Sequence, residues 1–201
     1  MKKVIVQAIA ILVIAIPVKA NLVENGGFEL PRIAPNYEII TSSIPGWECT
    51  MGTGFEVQHR AVHANAGDPY EGDQHIELDG YDSSNMVQML NTVAGASYIL
   101  SFAYSPRPGT EETTNGIAVY WDGSLVGTVR ESGSMLQNTS WTIMAYGNLI
   151  ASSNETPLEF RDAGFSDSFG SYIDDIQVIP EPATLLLFGL GMMLMRRRRV
   201  Q

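Results

Sequence analysis

The chain has 201 residues, 45% of them hydrophobic, and a formal net charge of −10. Its single cysteine, Cys49, excludes an intramolecular disulfide, so a folded domain must be held together by its core and by any metal that it binds. The acidic balance argues against nucleic acid and anionic lipid headgroups as partners, because both repel a negative surface.

The N-terminus has the pattern of a secretory signal peptide, which we place at residues 1–20. Lys2 and Lys3 precede an apolar stretch, and the small residue Ala20 ends the segment. We expect export through the Sec pathway and cleavage after Ala20. An uncleaved N-terminal anchor is the alternative, because Lys19 beside the cut is unusual.

Without the signal peptide and the basic C-terminal segment, the remaining chain is far more acidic than the whole. Residues 21–179 keep five arginines and no lysine against 21 acidic side chains, which is a formal net charge of −16. Such a surface is suited to neutral sugars, to cations or to solubility.

Residues 21–178 predict a single all-β domain, an antiparallel β-sandwich of nine or ten short strands. Runs of alternating apolar and polar residues recur between Gly, Pro, Asn and Asp. No continuous pattern of an amphipathic helix appears between residues 21 and 179. The runs lie at residues 54–57, 75–78, 86–90, 98–104, 116–121, 124–129, 141–146, 158–160 and 172–179. Asp122-Gly123 predicts a tight hairpin, because this dipeptide readily takes positive φ angles. We assign Tyr98 and Phe102 to the core.

The last predicted strand carries a carboxylate on its apolar side. Asp174 shares one side of the strand with Ile176 and Val178 by alternation. A carboxylate in a row that faces the core is costly unless it is paired or binds a cation.

The C-terminal segment, residues 179–201, predicts a short transmembrane helix. Pro180, Glu181 and Pro182 interrupt the preceding strand, and residues 183–195 are uncharged. This run is shorter than the roughly 17–25 residues that usually span a bilayer. Four arginines follow it, and they would stay on the cytoplasmic side of the inner membrane. A buried C-terminal helix is the alternative, but four arginines cannot be buried without partners.

This tail resembles the PEP-CTERM sorting domain of Gram-negative bacteria. The resemblance rests on the Pro-Glu-Pro motif, the apolar run and the arginine cluster. It implies transient anchoring in the inner membrane, processing at the motif by a membrane enzyme, the exosortase, and release to the cell surface or the exopolysaccharide matrix. The residues of the sorting motif would be Pro180, Glu181, Pro182, Arg196, Arg197, Arg198 and Arg199.

The domain itself resembles the galactose-binding-domain-like jelly rolls. More closely, it is similar to a domain-of-unknown-function family found in plant cell-wall proteins and in bacterial proteins with the same tail. The segments that carry this resemblance are residues 21–29, 45–47, 72–80, 100–109 and 172–178.

Related carbohydrate-binding modules often hold a structural calcium between the opening loop and the closing strand. The resemblance therefore implies a calcium site formed by Asn25, Glu29 and Asp174, with Asp175 as the alternate ligand. Calcium takes six to eight oxygen ligands, which such residues could supply in part. Alternatively, residues 25–27 form only a turn, and the two aspartates are a solvated strand end.

The chain contains no pattern typical of an enzyme, and we expect it to be non-catalytic. His59 and His63 are four residues apart, a spacing that makes a zinc pair only on a helix. Glu77 and Asp79 lie on one predicted strand, whereas glycosidase carboxylates come from separate elements. Ser105, Ser134 and Ser166 lack the Gly-x-Ser-x-Gly motif, and no phosphate-binding loop is present.

Aromatic side chains indicate sugar binding better, because sugars stack their apolar faces on Trp and Tyr. The candidates are Trp47 and Tyr81, which lie in loop-like segments, Arg107 between two prolines, and Trp121. Core packing is the alternative for each of them. We therefore expect a secreted or surface-displayed carbohydrate-binding protein that engages extracellular polysaccharide. A structural matrix protein without a specific glycan site is the competing hypothesis.

Overall fold

The structure is a computed structural model that describes residues 21–60 and 67–181. The predicted signal peptide, His63 and the sorting segment beyond Glu181 lie outside the described residues. Within the described part, no helix is long and apolar enough to cross a membrane.

In residues 21–60 and 67–181, twelve strands form two six-stranded antiparallel sheets, which confirms the predicted all-β sandwich. The strands are β1 (Glu38–Thr41), β2 (Ser43–Ile44), β3 (Trp47–Glu48), β4 (Phe55–His59), β5 (Gln74–Glu77), β6 (Asn85–Asn91), β7 (Ser97–Ser105), β8 (Ile117–Trp121), β9 (Ser124–Val129), β10 (Thr142–Ile150), β11 (Glu155–Asp162) and β12 (Tyr172–Pro180). The first sheet has the order β1-β4-β5-β12-β7-β10, and the second has the order β2-β3-β6-β11-β8-β9.

The core lies between the two sheets. Alternation along β7 points Tyr98, Leu100, Phe102 and Tyr104 inward, and all four are buried, as predicted for Tyr98 and Phe102. Phe102 of the first sheet meets Phe160 of the second edge to face, with ring centroids 5.0 Å apart. Aromatic contacts of this kind add to the free energy gained by burying apolar area.

The two ends of the domain lie side by side. The backbone N–H of Leu22 donates to the carbonyl of Val178 at 2.9 Å, and the N–H of Val178 donates to Asn21 Oδ1 at 3.0 Å. The opening segment therefore adds hydrogen bonds along the closing strand.

The turn chemistry of one hairpin is confirmed, whereas the early strands were missed. Asp122 and Gly123 join β8 to β9 with φ angles of 52° and 74°. Strands β2 and β3 have two residues each, too short to show a period of two, and β1 has two adjacent isoleucines, Ile39 and Ile40, instead of an alternation. Strand β12 continues to Pro180, two residues past the expected domain boundary.

Candidate functional site

The outer face of the first sheet carries a buried layer of polar side chains. Phe55, Val57 and Ile76 of β4 and β5 point into the core, so their neighbours point to the other face of the sheet. The side chains that meet there are Glu56, Gln58, His75, Glu77 and Tyr172, joined by Arg107 from the loop after β7. We call these six residues the polar layer. All six are buried, which is unusual for the face of a sheet that points away from the core.

An ion pair and a shared amide hold the polar layer together. Arg107 Nη1 donates to Glu77 Oε2, and the side chains are 7% and 0% exposed. Gln58 Nε2 lies 2.6 Å from Glu77 Oε2 and 2.6 Å from Glu56 Oε1. The backbone N–H of Gly170 donates to the other oxygen of Glu77. The Glu77 carboxylate is therefore fixed by three donors from three different segments.

Burial shifts the proton affinity of both carboxyl groups. It raises the pKa of Glu77 well above its usual range, against the opposing effect of Arg107. It also raises the pKa of Glu56 to about 7, with a further contribution from the neighbouring Glu38 carboxyl. Near neutral pH, Glu56 therefore exists in both forms, and it can donate or accept a hydrogen bond.

Three partly exposed aromatic side chains border the polar layer. We call Tyr70, Trp141 and Phe169 the aromatic rim. Tyr70 and Trp141 meet edge to face at 6.2 Å, and Trp141 meets His75 of the layer at 5.9 Å. At the other end, the Arg107 guanidinium lies 4.8 Å from the ring centre of Phe169. Tyr70 is 44% exposed and Phe169 is 47% exposed, so both rings keep accessible surface beside the polar layer.

Two buried aspartates hold the loops that carry the rim. Asp174 Oδ2 accepts the backbone N–H groups of Tyr70 at 2.9 Å and Glu71 at 3.0 Å. Asp79 Oδ2 accepts the N–H groups of Asp167 and Ser168, just before Phe169. Neither aspartate is exposed. The loops of Tyr70 and Phe169 are therefore positioned by hydrogen bonds from their backbone N–H groups to the first sheet and its adjoining loop.

Two of the predicted sugar-binding residues, Trp47 and Trp121, lie in the core of the structure. Trp47 lies in β3 and is 1% exposed, between the rings of Phe28 and Phe160. Trp121 is buried against Tyr98 and donates its indole N–H to Ile150 O at 2.9 Å. Both indoles belong to the core, where a sugar cannot stack on them.

Arg107 and Tyr81 end up in different settings. Arg107 is buried in its ion pair, although the two flanking prolines predicted an exposed cation. Tyr81 is 72% exposed in a loop, as expected, and its carbonyl oxygen accepts a 3.5 Å hydrogen bond from Ser168 Oγ. This contact places Tyr81 beside the loop that carries Phe169.

Sequence reasoning did not select Trp141 or Phe169. Phe169 could have been found, because aromatic residues in a Ser- and Gly-rich loop are exposed candidates, and this loop contains Phe165 and Phe169. No feature of the sequence indicated that Trp141 is exposed, since it precedes an apolar strand and such a position is typical of a core residue. Glu77 and Asp79 do not form a pair of catalytic carboxylates, because Asp79 binds the loop before Phe169.

The residues considered for calcium are near one another but already have hydrogen-bond partners. Asn25 bonds Leu30 and Pro45 through its side chain, and Glu29 Oε1 accepts the N–H groups of Asp73 and Gln74. Asp175 Oδ1 accepts a hydrogen bond from Gln177.

Glu71 lies at the centre of this acidic region. Burial, followed by the carboxylates of Asp175 and Glu29, raises the pKa of Glu71. In residues 21–60 and 67–181, however, no three His, Cys, Asp or Glu side chains are arranged as a metal site. The carboxylates are thus close enough to repel one another.

Comparison with known proteins identifies the tail and relates the domain to longer proteins. Residues 178–199 match the PEP-CTERM protein-sorting motif, which confirms the resemblance seen in the sequence. The chain is 29% identical over 168 residues to the multifunctional-autoprocessing repeats-in-toxin of Vibrio cholerae, covering 80% of this chain and 3% of the toxin. It is 27% identical over 184 residues to the Arabidopsis thaliana protein DUF642 L-galactono-1,4-lactone-responsive gene 2, covering 81% of this chain and 47% of that protein. The chain thus spans less than half the length of either relative.

Solved structures share the fold at low sequence identity. A Stig cyclase from Fischerella sp. TAU superposes with a TM-score of 0.56 at 13% identity, covering 81% of this chain and 98% of the cyclase. The structure of TmCBM61 in complex with β-1,4-galactotriose has a TM-score of 0.49 at 17% identity, covering 80% of this chain and 99% of the module.

Proposed function

We propose that this chain is an exported, non-catalytic carbohydrate-binding protein that engages exopolysaccharide through the aromatic rim beside the polar layer. The PEP-CTERM motif supports export and delivery to the cell surface or the extracellular matrix. In the same proposal, the Sec pathway exports the chain, the C-terminal segment holds it briefly in the inner membrane, and an exosortase processes it.

One observation carries the binding proposal: half-exposed aromatic rings border a buried polar layer on the outside of a sandwich. Sugar rings present an apolar C–H face, which can stack on such rings. Aromatic rings beside a few fixed polar groups are typical of small-ligand sites. Because buried aspartates hold the rim loops, little entropy would be lost when a ligand binds.

The charges of the domain favour a neutral glycan. Every arginine in the described ranges already has a partner. Arg32 and Arg60 pair with Asp73, Arg107 pairs with Glu77, Arg161 pairs with Glu159, and Arg130 donates to the backbone carbonyls of Thr113 and Ala163. With a net charge of −16 over residues 21–179, uronic-acid polymers would be repelled.

A binding assay on immobilised polysaccharides tests the proposal. Trp141→Ala and Phe169→Ala should each weaken binding to a neutral polymer by about fivefold or more, since truncating a side chain that anchors a ligand costs more than about 1 kcal/mol. Tyr120→Ala is the matched control, because Tyr120 lies on the second sheet beneath Arg161. Unchanged binding in both rim variants would refute the site.

Two other outcomes separate the competing functions. Self-assembly without saturable binding to any glycan would favour a structural matrix protein. Release of reducing sugars from a polysaccharide by the purified protein would show an enzyme instead.

We also propose that calcium binds beside the opening loop, where the carboxylates of Glu29, Glu71 and Asp175 are neighbours. A divalent cation would relieve the mutual repulsion that, after burial, raises the pKa of Glu71. Binding would require Glu29 or Asp174 to exchange backbone donors for the ion.

A further inference from the structure

The sorting motif begins inside the folded domain. The matched motif starts at residue 178, and strand β12 runs to Pro180. Val178, Ile179 and Pro180 pair with Leu100, Ile99 and Tyr98 of β7. The backbone of Val178 is also bound from its other side by Asn21 and Leu22. The first three motif residues therefore belong to the first sheet.

Glu181, the acidic residue of the motif, is held by two further hydrogen bonds. Its backbone N–H donates to the carbonyl of Ser97 at 2.9 Å. Its side-chain Oε1 accepts the backbone N–H of Asn148 at 2.8 Å. The first bond continues the ladder between β12 and β7, and the second fixes the side chain against β10.

The β10 partner is a bulge that makes this contact possible. The pairing of β10 with β7 shifts register between Tyr146 and Leu149. Asn148 lies inside this bulge with a φ of 56°, so its N–H is not used in the ladder and can reach Glu181. We call the Ser97 and Asn148 contacts the Glu181 clamp.

A peptide must present an extended, unpaired backbone to a processing enzyme, because such enzymes bind their substrates as an added strand. Residues 178–181 are already paired, so they can enter an active site only when the end of β12 frays. We propose that the Glu181 clamp restricts processing to the Glu181–Pro182 bond or a bond beyond it, so that the mature domain retains Glu181. This inference rests on the processing step of the proposed function.

The reaction is a peptide hydrolysis. One water molecule is consumed, its oxygen joins the new carboxylate on the upstream fragment, and the downstream fragment leaves with a free amine. If the first accessible bond is cut, that amine is the secondary amine of Pro182. The clamp takes no part in the chemistry; it decides which bonds are accessible.

The test is the intact mass and C-terminal peptide of the protein recovered from a host that carries the processing enzyme. The expected mature chain ends at Glu181 or later. A chain that ends at Pro180 or earlier would overturn this inference and leave sugar binding untouched. An uncut chain would overturn both the processing step and this inference.

A pair of insertions tests whether the clamp is the cause. Four residues, Gly-Ser-Gly-Ser, are placed between Ile179 and Pro180 in one variant and between Pro182 and Ala183 in the control. The first insertion separates Glu181 from Ser97 and Asn148, whereas the second leaves both contacts intact. We expect the first variant to yield mature chains that end at Pro180 or within the insert and to lose hydrogen-exchange protection at Glu181, whereas the control ends at Glu181 or later. The same C-terminus in both variants would overturn the role of the clamp.

Discussion

Ile176 donates its backbone N–H to the carbonyl oxygen of Gly26 at 2.9 Å, which binds the closing strand to the opening loop of the domain. The two backbones also approach closely at Gly26, where a Cβ would collide with the carbonyl oxygen of Ile176. The two ends of a domain that has no disulfide are thus joined by backbone contact.

Gly26→Ala should destabilise the domain by about 1–3 kcal/mol, the usual cost of overpacking, because the obstacle is backbone and cannot rotate away. Gly123→Ala is the control, since a Cβ there meets nothing within 4 Å and only its φ of +74° is unfavourable. Urea denaturation measures both variants. A Gly26→Ala protein as stable as the control would contradict the contact.

Replacing only Arg107 of the buried ion pair should destabilise the protein more than replacing both Arg107 and Glu77. Arg107→Met leaves Glu77 buried without its cation, and such variants lose roughly 3–5 kcal/mol. The double variant Arg107→Met with Glu77→Met should recover part of this loss, because no charge then remains to be desolvated. Denaturation of the single and double variants completes the cycle, and a double variant less stable than Arg107→Met would disprove the explanation.

Stability should fall as the pH rises through the neutral range. Burial raises the pKa of Glu56 to about 7, whereas the unfolded chain ionises near 4.5. The folded state therefore binds more protons between these values, and the contribution of Glu56 is complete below pH 4.5 and lost as pH approaches 7. We expect Glu56→Gln to flatten the curve of unfolding free energy against pH by an amount on the order of 3 kcal/mol over this window. Parallel curves for wild type and variant would refute it.

Trp47 and Tyr81 were both predicted to lie in loops, but truncating them should change the stability of the protein by very different amounts. Trp47→Ala removes a fully buried indole and should destabilise by about 3–5 kcal/mol. Tyr81→Ala removes a ring that is 72% exposed and should change stability by less than about 0.5 kcal/mol. Thermal melts of the two variants provide the comparison, and equal losses would show that the burial of Trp47 is misassigned.

Calcium should raise the melting temperature of the metal-free protein, and magnesium should do so less, because the neighbouring carboxylates and carbonyls suit a larger and more flexible coordination shell. Asp175→Asn should reduce the shift. Asp122→Asn, in the β8–β9 turn, should not alter it. If EDTA leaves the melting temperature of metal-replete protein unchanged, calcium has no structural role here.

Alternation and turn chemistry were enough to predict the sandwich. The inward row of β7 and the Asp122-Gly123 hairpin follow from local rules, since a strand has a period of two and a tight turn needs positive φ. The motif in the tail is likewise a property of contiguous residues. Strands β2 and β3 were missed because two residues show no period, and β1 was missed because its apolar residues are adjacent and do not alternate.

The sequence by itself thus determined the class of fold, the acidity of the domain and the sorting signal, because each depends on composition or on neighbours along the chain. Only the tertiary structure decided which side chains lie at the surface. Alternation assigns Glu56, Gln58 and Glu77 to the face away from the core, but it cannot show that loops from distant parts of the chain cover them. For the same reason Trp47 proved to be core and Trp141 part of the rim: exposure depends on what packs against a side chain, and those neighbours are remote in sequence.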